Sequence, residues 1–191
     1  MSSKIFVVSG PSGSGKTTLA HRLLTDKILK KRLTKTISLT TRKKRSGETH
    51  ARDYFFLSPS EFRTQLRQKK ILEWTKYLGY YYATPKGFVD SALKAGKSIV
   101  LCLDYKGAVS LKKAYPKQTV TIFINVLDLA DLRRRIEGRC AKTKKAEICK
   151  RLKIAEKEVQ QAHKYDYCLV NQDLAKAVRE LRSIIVKEIR N

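Results

Sequence analysis

The chain has 191 residues, of which 42% are hydrophobic, so it is long enough to bury one core and is not expected to be disordered. Its 42 lysines and arginines outnumber its 17 aspartates and glutamates, which gives a formal net charge of +25. No apolar run approaches the ~18 residues that span a bilayer, and no apolar signal segment precedes the first predicted strand, so we expect a cytoplasmic protein without membrane contact.

The first predicted elements are a strand, a loop and a helix. Residues 5–8 are apolar, residues 10–17 (GPSGSGKT) fit the pattern G-x-x-x-x-G-K-[ST], and residues 18–29 carry leucines at helical spacing. In this order the glycines let successive backbone N–H groups face phosphate oxygens, and the helix N-terminus adds its positive end. Lys16 then reaches the β- and γ-phosphates, and the Thr17 hydroxyl faces Mg²⁺. The motif predicts a site for a nucleoside triphosphate.

Strand-like and helical segments alternate along the rest of the chain. Residues 34–41, 54–57 and 71–77 predict strands, and the sequence Ser-Pro-Ser-Glu at 58–61 predicts a capped helix before the last of them. The later segments are a helix at 85–95, strands at 98–103 and 119–124, helices at 128–135 and 144–163, a strand at 167–170 and a helix at 174–189. We predict an α/β fold with a three-layer α/β/α core and a mostly parallel sheet.

Motifs between residues 38 and 104 limit which group can accept the phosphate. They are Ser38-Leu39-Thr40-Thr41-Arg42, Arg45-Ser46-Gly47-Glu48, Asp53-Tyr54, Leu72-Glu73, Tyr81-Tyr82-Ala83-Thr84 and Asp104. With the loop at 10–17 and the segments 165–167 and 170–173, these motifs resemble the guanylate kinase family in order and spacing over nearly the whole chain. The resemblance implies the fold of P-loop nucleoside triphosphate hydrolases, with a small monophosphate-binding insertion and a lid.

The resemblance implies three sets of contacts, and the chemistry of the ligands supports each set. Arginine and phenol groups suit a phosphate with about two negative charges, and the implied set is Arg42, Arg45, Tyr54 and Tyr82. Carboxylates suit the N1–H and N2–H₂ donors of guanine, and the implied base-binding set is Glu73, Asp104, Ser38 and Thr84. The implied ATP-binding set is Gly10, Pro11, Ser12, Gly13, Ser14, Gly15, Lys16, Thr17, Thr18 and Asn171.

A basic segment near residue 140 resembles the lid of the family. Its arginines Arg135, Arg139 and Arg151 would close over the phosphates, exclude water and neutralise charge on the transferred phosphoryl group. With Lys16 and Arg42 they form the predicted catalytic set. We expect one domain over 1–191, with a core at 1–34, 97–127 and 155–191, a monophosphate-binding subdomain at 35–96 and a lid region at 128–154.

The chain departs from the family pattern at several positions. Cys102 stands where the family has the first acid of an Asp-x-Asp pair near the magnesium, so Thr17 is the predicted metal ligand and Glu48 a nearby carboxylate that can help through water. Ala51 and Ala83 replace glycines, which gives up easy access to positive φ. Cys102, Cys140, Cys149 and Cys168 show no metal-binding spacing, and we expect buried or inert free thiols.

The resemblance implies a guanylate kinase that transfers the γ-phosphoryl group of ATP to GMP or dGMP with Mg²⁺, as a monomer or small homo-oligomer in purine metabolism. Ribose 1,5-bisphosphate phosphorylation and a non-catalytic guanylate kinase-like binding module are the alternatives. A nucleic-acid-binding protein is a further hypothesis from the charge. The basic residues are spread over the whole chain, however, and no strand carries a row of aromatic residues, so we expect only weak, salt-sensitive nucleic-acid binding.

Overall fold

The computed structural model describes residues 3–138 and 145–190. In these ranges the strands are β1 (Ile5–Ser9), β2 (Leu33–Lys35), β3 (Leu39–Thr40), β4 (Phe55–Phe56), β5 (Ile71–Tyr77), β6 (Tyr80–Pro85), β7 (Ser98–Cys102), β8 (Thr119–Asn125) and β9 (Tyr167–Val170). The α-helices in the same ranges are α1 (Lys16–Leu24), α2 (Pro59–Arg67), α3 (Lys86–Lys94), α4 (Tyr105–Ala114), α5 (Leu129–Gly138), α6 (Lys145–Val159) and α7 (Leu174–Arg190).

A five-stranded parallel sheet in the order β2-β7-β1-β8-β9 forms the centre of the molecule. Alternate residues of β1 face opposite layers because successive side chains of a strand point to opposite faces. Phe6 and Val8 pack in one apolar cluster with residues of α1 and α7. Ile5 and Val7 pack in another with residues of α3 and α4. The predicted three-layer α/β/α architecture with a mostly parallel sheet is confirmed.

A second, four-stranded sheet in the order β4-β3-β6-β5 stands beside the first. The strand predicted at 34–41 is therefore wrong as a single element, because β2 pairs with β7 in the large sheet while β3 pairs with β4 and β6 in the small one. Residues 36–38 carry the chain from one sheet to the other. Helix α2 covers the small sheet and starts with the predicted cap, a reciprocal capping box between Ser58 and Glu61.

Helix α1 is shorter than the helix predicted at 18–29. It ends at Leu24, where the Thr25 hydroxyl donates back to the His21 carbonyl at 3.1 Å. The Asp26 carboxylate then accepts hydrogen bonds from the backbone N–H groups of Ile28 and Leu29, both at 2.9 Å. This side chain replaces the helical carbonyl acceptors and turns the chain toward β2.

Two alanines occupy positions where we expected glycine to be needed. Ala51 adopts a left-handed conformation with φ of 63°, so the turn keeps its shape with an unfavourable residue in it. Ala83 lies in β6, is buried, and needs no positive φ. Within the described ranges, no helix has the length and apolar character needed to cross a bilayer.

Candidate active site

The predicted phosphate-binding loop follows the central strand β1 and leads directly into α1. Gly10 has φ of 135°, and a Cβ there would lie 2.3 Å from the Ile124 carbonyl oxygen. Gly15 has φ of 91°, and its Cβ would lie 2.2 Å from the Asn171 amide nitrogen. Both positions therefore require glycine, and the loop wraps closely over the carboxyl ends of β1 and β8.

Lys16 and Asn171 hold the loop in shape. Lys16 Nζ donates to the carbonyl oxygens of Gly10 at 2.5 Å and Pro11 at 2.8 Å, so its ammonium group lies across the loop. Asn171 Nδ2 donates to the Ser14 carbonyl at 2.8 Å from a buried side chain. The Ser14 hydroxyl is fully buried and finds no hydrogen-bond partner among the described residues. An unpaired buried hydroxyl in such a loop suits a phosphate oxygen.

Thr17 and Thr18 follow Lys16 in the first turn of α1, and both are exposed. The Thr17 hydroxyl is a hard oxygen donor of the kind that Mg²⁺ accepts together with nucleotide phosphates and water, so the residue fits the ion. Over residues 3–138 and 145–190 no group of three histidine, cysteine or acidic side chains could hold a metal without the nucleotide.

Arg42, Tyr54 and Tyr82 come together at the end of the small sheet. The Arg42 guanidinium lies 5.5 Å from the centre of the Tyr54 ring, and the Tyr54 and Tyr82 rings are 6.1 Å apart. Glu48 accepts a two-point ion pair from Arg42, at 2.8 and 3.0 Å, and a hydrogen bond from the backbone N–H of Arg45. Glu48 thus orients the Arg42 side chain and holds the backbone at Arg45, which is exposed.

The most unusual acid of the site is Glu73 on β5. It is 5% exposed, and its Oε1 accepts a 2.6 Å hydrogen bond from the fully buried Thr84 hydroxyl. Its Oε2 has no partner among the described residues and lies against Gly107, where an added Cβ would approach it to 2.9 Å. Burial, opposed by the hydrogen bond from Thr84 and aided by the nearby charge of Asp104, raises the pKa of Glu73 to about 7. An unpaired carboxylate oxygen in a buried position is arranged to accept from a ligand N–H.

Asp104, which is predicted to bind the base, also caps the N-terminus of α4. Its Oδ1 accepts from the backbone N–H of Gly107 at 2.9 Å and caps α4, and its Oδ2 accepts from the Thr75 hydroxyl at 2.6 Å. The two contacts fix the carboxylate near Glu73. Ser38 lies just before β3, where its carbonyl accepts from the Phe55 N–H, and the side chain is half-buried.

The predicted lid arginines meet the loop region from two helices. Arg135 on α5 pairs with Asp131 at 2.7 Å and donates to the Asn171 carbonyl at 3.0 Å. Arg151 on α6 pairs with Glu147 at 2.6 Å and donates to the Ser12 hydroxyl at 3.3 Å. Arg139 lies outside the described residues.

Two groups near the loop were missed by sequence reasoning. The Tyr77 hydroxyl on β5 and Glu158 Oε2 on α6 are both buried, without a hydrogen-bond partner in the described ranges. Burial raises the pKa of Glu158 to about 7, with the charge of Lys16 opposing and the charge of Asp104 aiding the shift. The sequence does contain a signal for the inward position of Glu158, because this residue follows the buried Ile148 and Ala155 at helical spacing on α6.

Cys102 ends β7 beside Val8, just before the loop, and is exposed rather than buried. Desolvation by surrounding residues raises the pKa of its thiol against the charges of Lys16 and Lys35, so the group is neutral near pH 7. Cys149 and Cys168 are also free and exposed, so for these three cysteines the expectation of buried or inert free thiols is wrong as to burial, while their being free agrees with it. Cys140 lies outside the described residues.

A parallel sheet with a complete phosphate-binding loop after its central strand defines a P-loop nucleotide-binding fold.

The family model for guanylate kinase matches residues 2–188. The chain is 40% identical over 184 residues to the guanylate kinase of Caldanaerobacter subterraneus subsp. tengcongensis, which covers 96% of this chain and 87% of that protein. It is 39% identical over 185 residues to the guanylate kinase of Chlamydia trachomatis serovar D, covering 97% and 88%. The crystal structure of guanylate kinase from Anaplasma phagocytophilum is similar with a TM-score of 0.82 and 28% identity, over 100% of this chain and 88% of that chain. The chain belongs to the guanylate kinase family.

Proposed function

We propose that this chain transfers the γ-phosphoryl group of ATP to GMP or dGMP, giving ADP and GDP or dGDP. The observation that carries the proposal is the buried carboxylate of Glu73 beside Asp104, whose Oε2 has no hydrogen-bond partner among the described residues. It lies in a chain of this family that also has a complete phosphate-binding loop. Guanine offers two N–H donors on one edge, and adenine does not, so an acid pair favours GMP. Ribose bisphosphate has no base to satisfy these acids, and a non-catalytic module has no need of the loop.

In this proposal the residues divide by the part of the substrates that they contact. Arg42, Arg45, Tyr54 and Tyr82 hold the phosphate of GMP, and Glu73, Asp104, Ser38 and Thr84 hold its base. The loop, Thr17 and Thr18 hold the phosphates of ATP, while Asn171 holds the loop. Arg135, Arg139 and Arg151 neutralise charge on the transferred group, and Lys16 does so from the loop.

Mg²⁺ is the proposed cofactor, held by Thr17 and the phosphates with water-mediated help from Glu48. Bound there, it would neutralise charge on the β- and γ-phosphates. The two-point pair with Arg42 makes orientation of that arginine the principal task of Glu48. Oligomeric state and cytoplasmic location stay predictions.

The experiment that tests the proposal measures ADP formation from ATP with GMP, dGMP, AMP and ribose 1,5-bisphosphate as acceptors. We expect turnover with GMP and dGMP and little with the other two. Equal rates with AMP and GMP would contradict the guanine assignment while leaving a nucleotide kinase. If ADP formed only with ribose 1,5-bisphosphate as the acceptor, the proposed function would be replaced by ribose bisphosphate phosphorylation.

We expect the KM for GMP to depend on pH through Glu73. The guanine N–H groups need an ionised acceptor, so with a pKa of about 7 the KM should fall about 10-fold between pH 6 and pH 8. Because the folded state holds the proton more tightly than the unfolded state, the contribution of Glu73 to stability falls as the pH rises from about 4.5 to 7. The control is Glu73→Gln, which should retain only the dependence due to the GMP phosphate, whose second pKa is about 6. The same slope in both proteins would contradict the assignment.

Cys102→Asp tests the missing acid of the family pattern. A carboxylate is a hard donor and a neutral thiol is not, so the Mg²⁺ concentration for half-maximal activity should fall several-fold. Since Cys102 is exposed and near the charges of Lys16 and Lys35, the variant should keep its melting temperature. The magnesium titration and the melting curve are both measured on the wild-type chain and on the variant. An unchanged magnesium midpoint with a lower melting temperature would show that the site is packed around the smaller group.

A further inference from the structure

The hydroxyl of Tyr77 is a buried donor with no assigned use. It lies at the end of β5, and no residue within 3–138 and 145–190 meets hydrogen-bond geometry with it. Burial raises the pKa of this phenol, with the charge of Arg151 opposing and the Glu158 carboxylate aiding the shift, so the hydroxyl keeps its proton and is available as a donor. A buried hydroxyl without a partner destabilises the fold, and a ligand oxygen that accepts from it removes that penalty.

The groups around Tyr77 come from three parts of the molecule. The Ser12 hydroxyl of the loop lies near the phenol as a hydrogen-bonding neighbour, the Arg151 guanidinium of α6 acts on it through its charge, and Arg151 donates to Ser12 at 3.3 Å. Tyr82 of the proposed GMP phosphate site also lies within electrostatic range. The Ser12 hydroxyl, the Arg151 guanidinium and the Tyr77 phenol therefore lie together between the loop, α6 and β5, and all three can donate to an anion.

The pattern of β5 explains how Tyr77 reaches this place. Glu73, Thr75 and Tyr77 alternate along the strand and share one face. Glu73 bonds Thr84 at the proposed base end, and Thr75 bonds Asp104 at 2.6 Å. Four residues of a strand extend roughly 13 Å, so Tyr77 continues this face from the base toward the phosphates.

We propose that Tyr77 is a further contact to the reacting phosphoryl group, and that its hydroxyl donates to a phosphoryl oxygen held between Ser12 and Arg151 when both nucleotides are bound. This inference rests on the proposed function, since it needs both nucleotides in place. Glu158 is the competing acceptor, because its Oε2 is also buried, has no hydrogen-bond partner in the part of the chain that the structure describes, and its charge acts on Tyr77.

The test is Tyr77→Phe, which removes the oxygen and keeps the ring. A contact made to the phosphoryl group in transfer predicts that kcat falls at least about 10-fold, while the dissociation constants for GMP alone and for ATP alone change less than about 2-fold. The melting temperature of the free protein should stay the same or rise, because an unpaired donor is removed. Tyr80→Phe, the same change at an exposed position of the hairpin, is the control and should keep wild-type kcat.

Three outcomes would overturn the proposal. The first is a kcat for Tyr77→Phe within 2-fold of the Tyr80→Phe control in an active wild-type background. The second is a lower melting temperature in both Tyr77→Phe and Glu158→Gln, with no further decrease when the two changes are combined. The Tyr77 hydroxyl would then be a structural partner of Glu158. The third is a wild-type chain that forms no GDP, which removes the proposed function together with this inference, whereas the first two leave the function intact.

Discussion

Lys16→Ala is expected to lower kcat by at least ~100-fold, which corresponds to a loss of about 3 kcal/mol of transition-state stabilisation. The Lys16 ammonium lies across the loop, bound to the carbonyls of Gly10 and Pro11, and in the proposed function its charge acts on the β- and γ-phosphates. That charge matters most while negative charge shifts toward the leaving ADP, so kcat should fall more than the affinity for ATP. The measurement is steady-state ADP formation with saturating ATP and GMP.

The matched control for this variant is Lys27→Ala, which removes an exposed lysine after α1 and leaves the loop unchanged. It should keep wild-type kcat and KM. Near-normal kcat in Lys16→Ala would show that the loop is not the catalytic cradle, whatever else it binds. The melting temperature of both variants checks that the loss is not due to unfolding, since Lys16 also holds two loop carbonyls.

The second large effect separates recognition of the base from recognition of the phosphate. Glu73→Gln should raise the KM for GMP at least about 10-fold and reduce the preference over AMP, because an amide presents both a donor and an acceptor to two guanine donors. Arg42→Ala should raise the KM for every monophosphate by a similar factor of about 10–100, because it removes a charged two-point contact from the proposed phosphate site. The KM for ATP should change little in either variant.

Both variants are measured with GMP, dGMP and AMP as acceptors. Glu48→Gln is a useful companion, since it keeps Arg42 but weakens the ion pair that orients it, and it should give a smaller loss of the same kind. If Glu73→Gln and Arg42→Ala shifted all acceptors equally, the division of roles proposed here would be wrong.

The sequence predicted the elements whose signals are local. The capping box at Ser58, the strand Ile71–Tyr77 and the strand Tyr167–Val170 have the predicted positions because caps and apolar runs are read directly from neighbouring residues. The loop at 10–17 likewise follows from its glycines and lysine. The break in the strand at 34–41 could not be predicted, because β-branched residues fit either sheet and only tertiary pairing separates them.

Sequence reasoning missed helix α4 and strand β6, and in both cases a side chain of the region was interpreted as a ligand. Asp104 was assigned to guanine, and its role as the cap that begins α4 was overlooked. Tyr82 was assigned to phosphate, and the strand β6 that carries it was overlooked, although Leu78 and Gly79 form a tight turn with positive φ of 49° and 87° that pairs β5 with β6.

The candidate site divides in the same way. Residues implied by the family resemblance lie together in two groups, Arg42 with Tyr54 and Tyr82, and Glu73 with Thr84 and Asp104. Tyr77 and Glu158 were not predicted, because what marks them is burial without a partner. Helical spacing after Ile148 and Ala155 does place Glu158 on the inward face of α6, but whether a buried group finds a partner depends on how β5 and α6 pack around the loop, which no local pattern reports.

The central claim is transfer of a phosphoryl group to GMP, and following a label tests it most directly. ATP carrying an isotopic label in its γ-phosphoryl group is mixed with GMP, Mg²⁺ and the chain, and the products are separated and identified. We predict that the label appears in the β-phosphate of GDP in amounts equal to the ADP formed. Label released as free phosphate at the same rate with and without GMP, or transferred equally to AMP, would contradict the account.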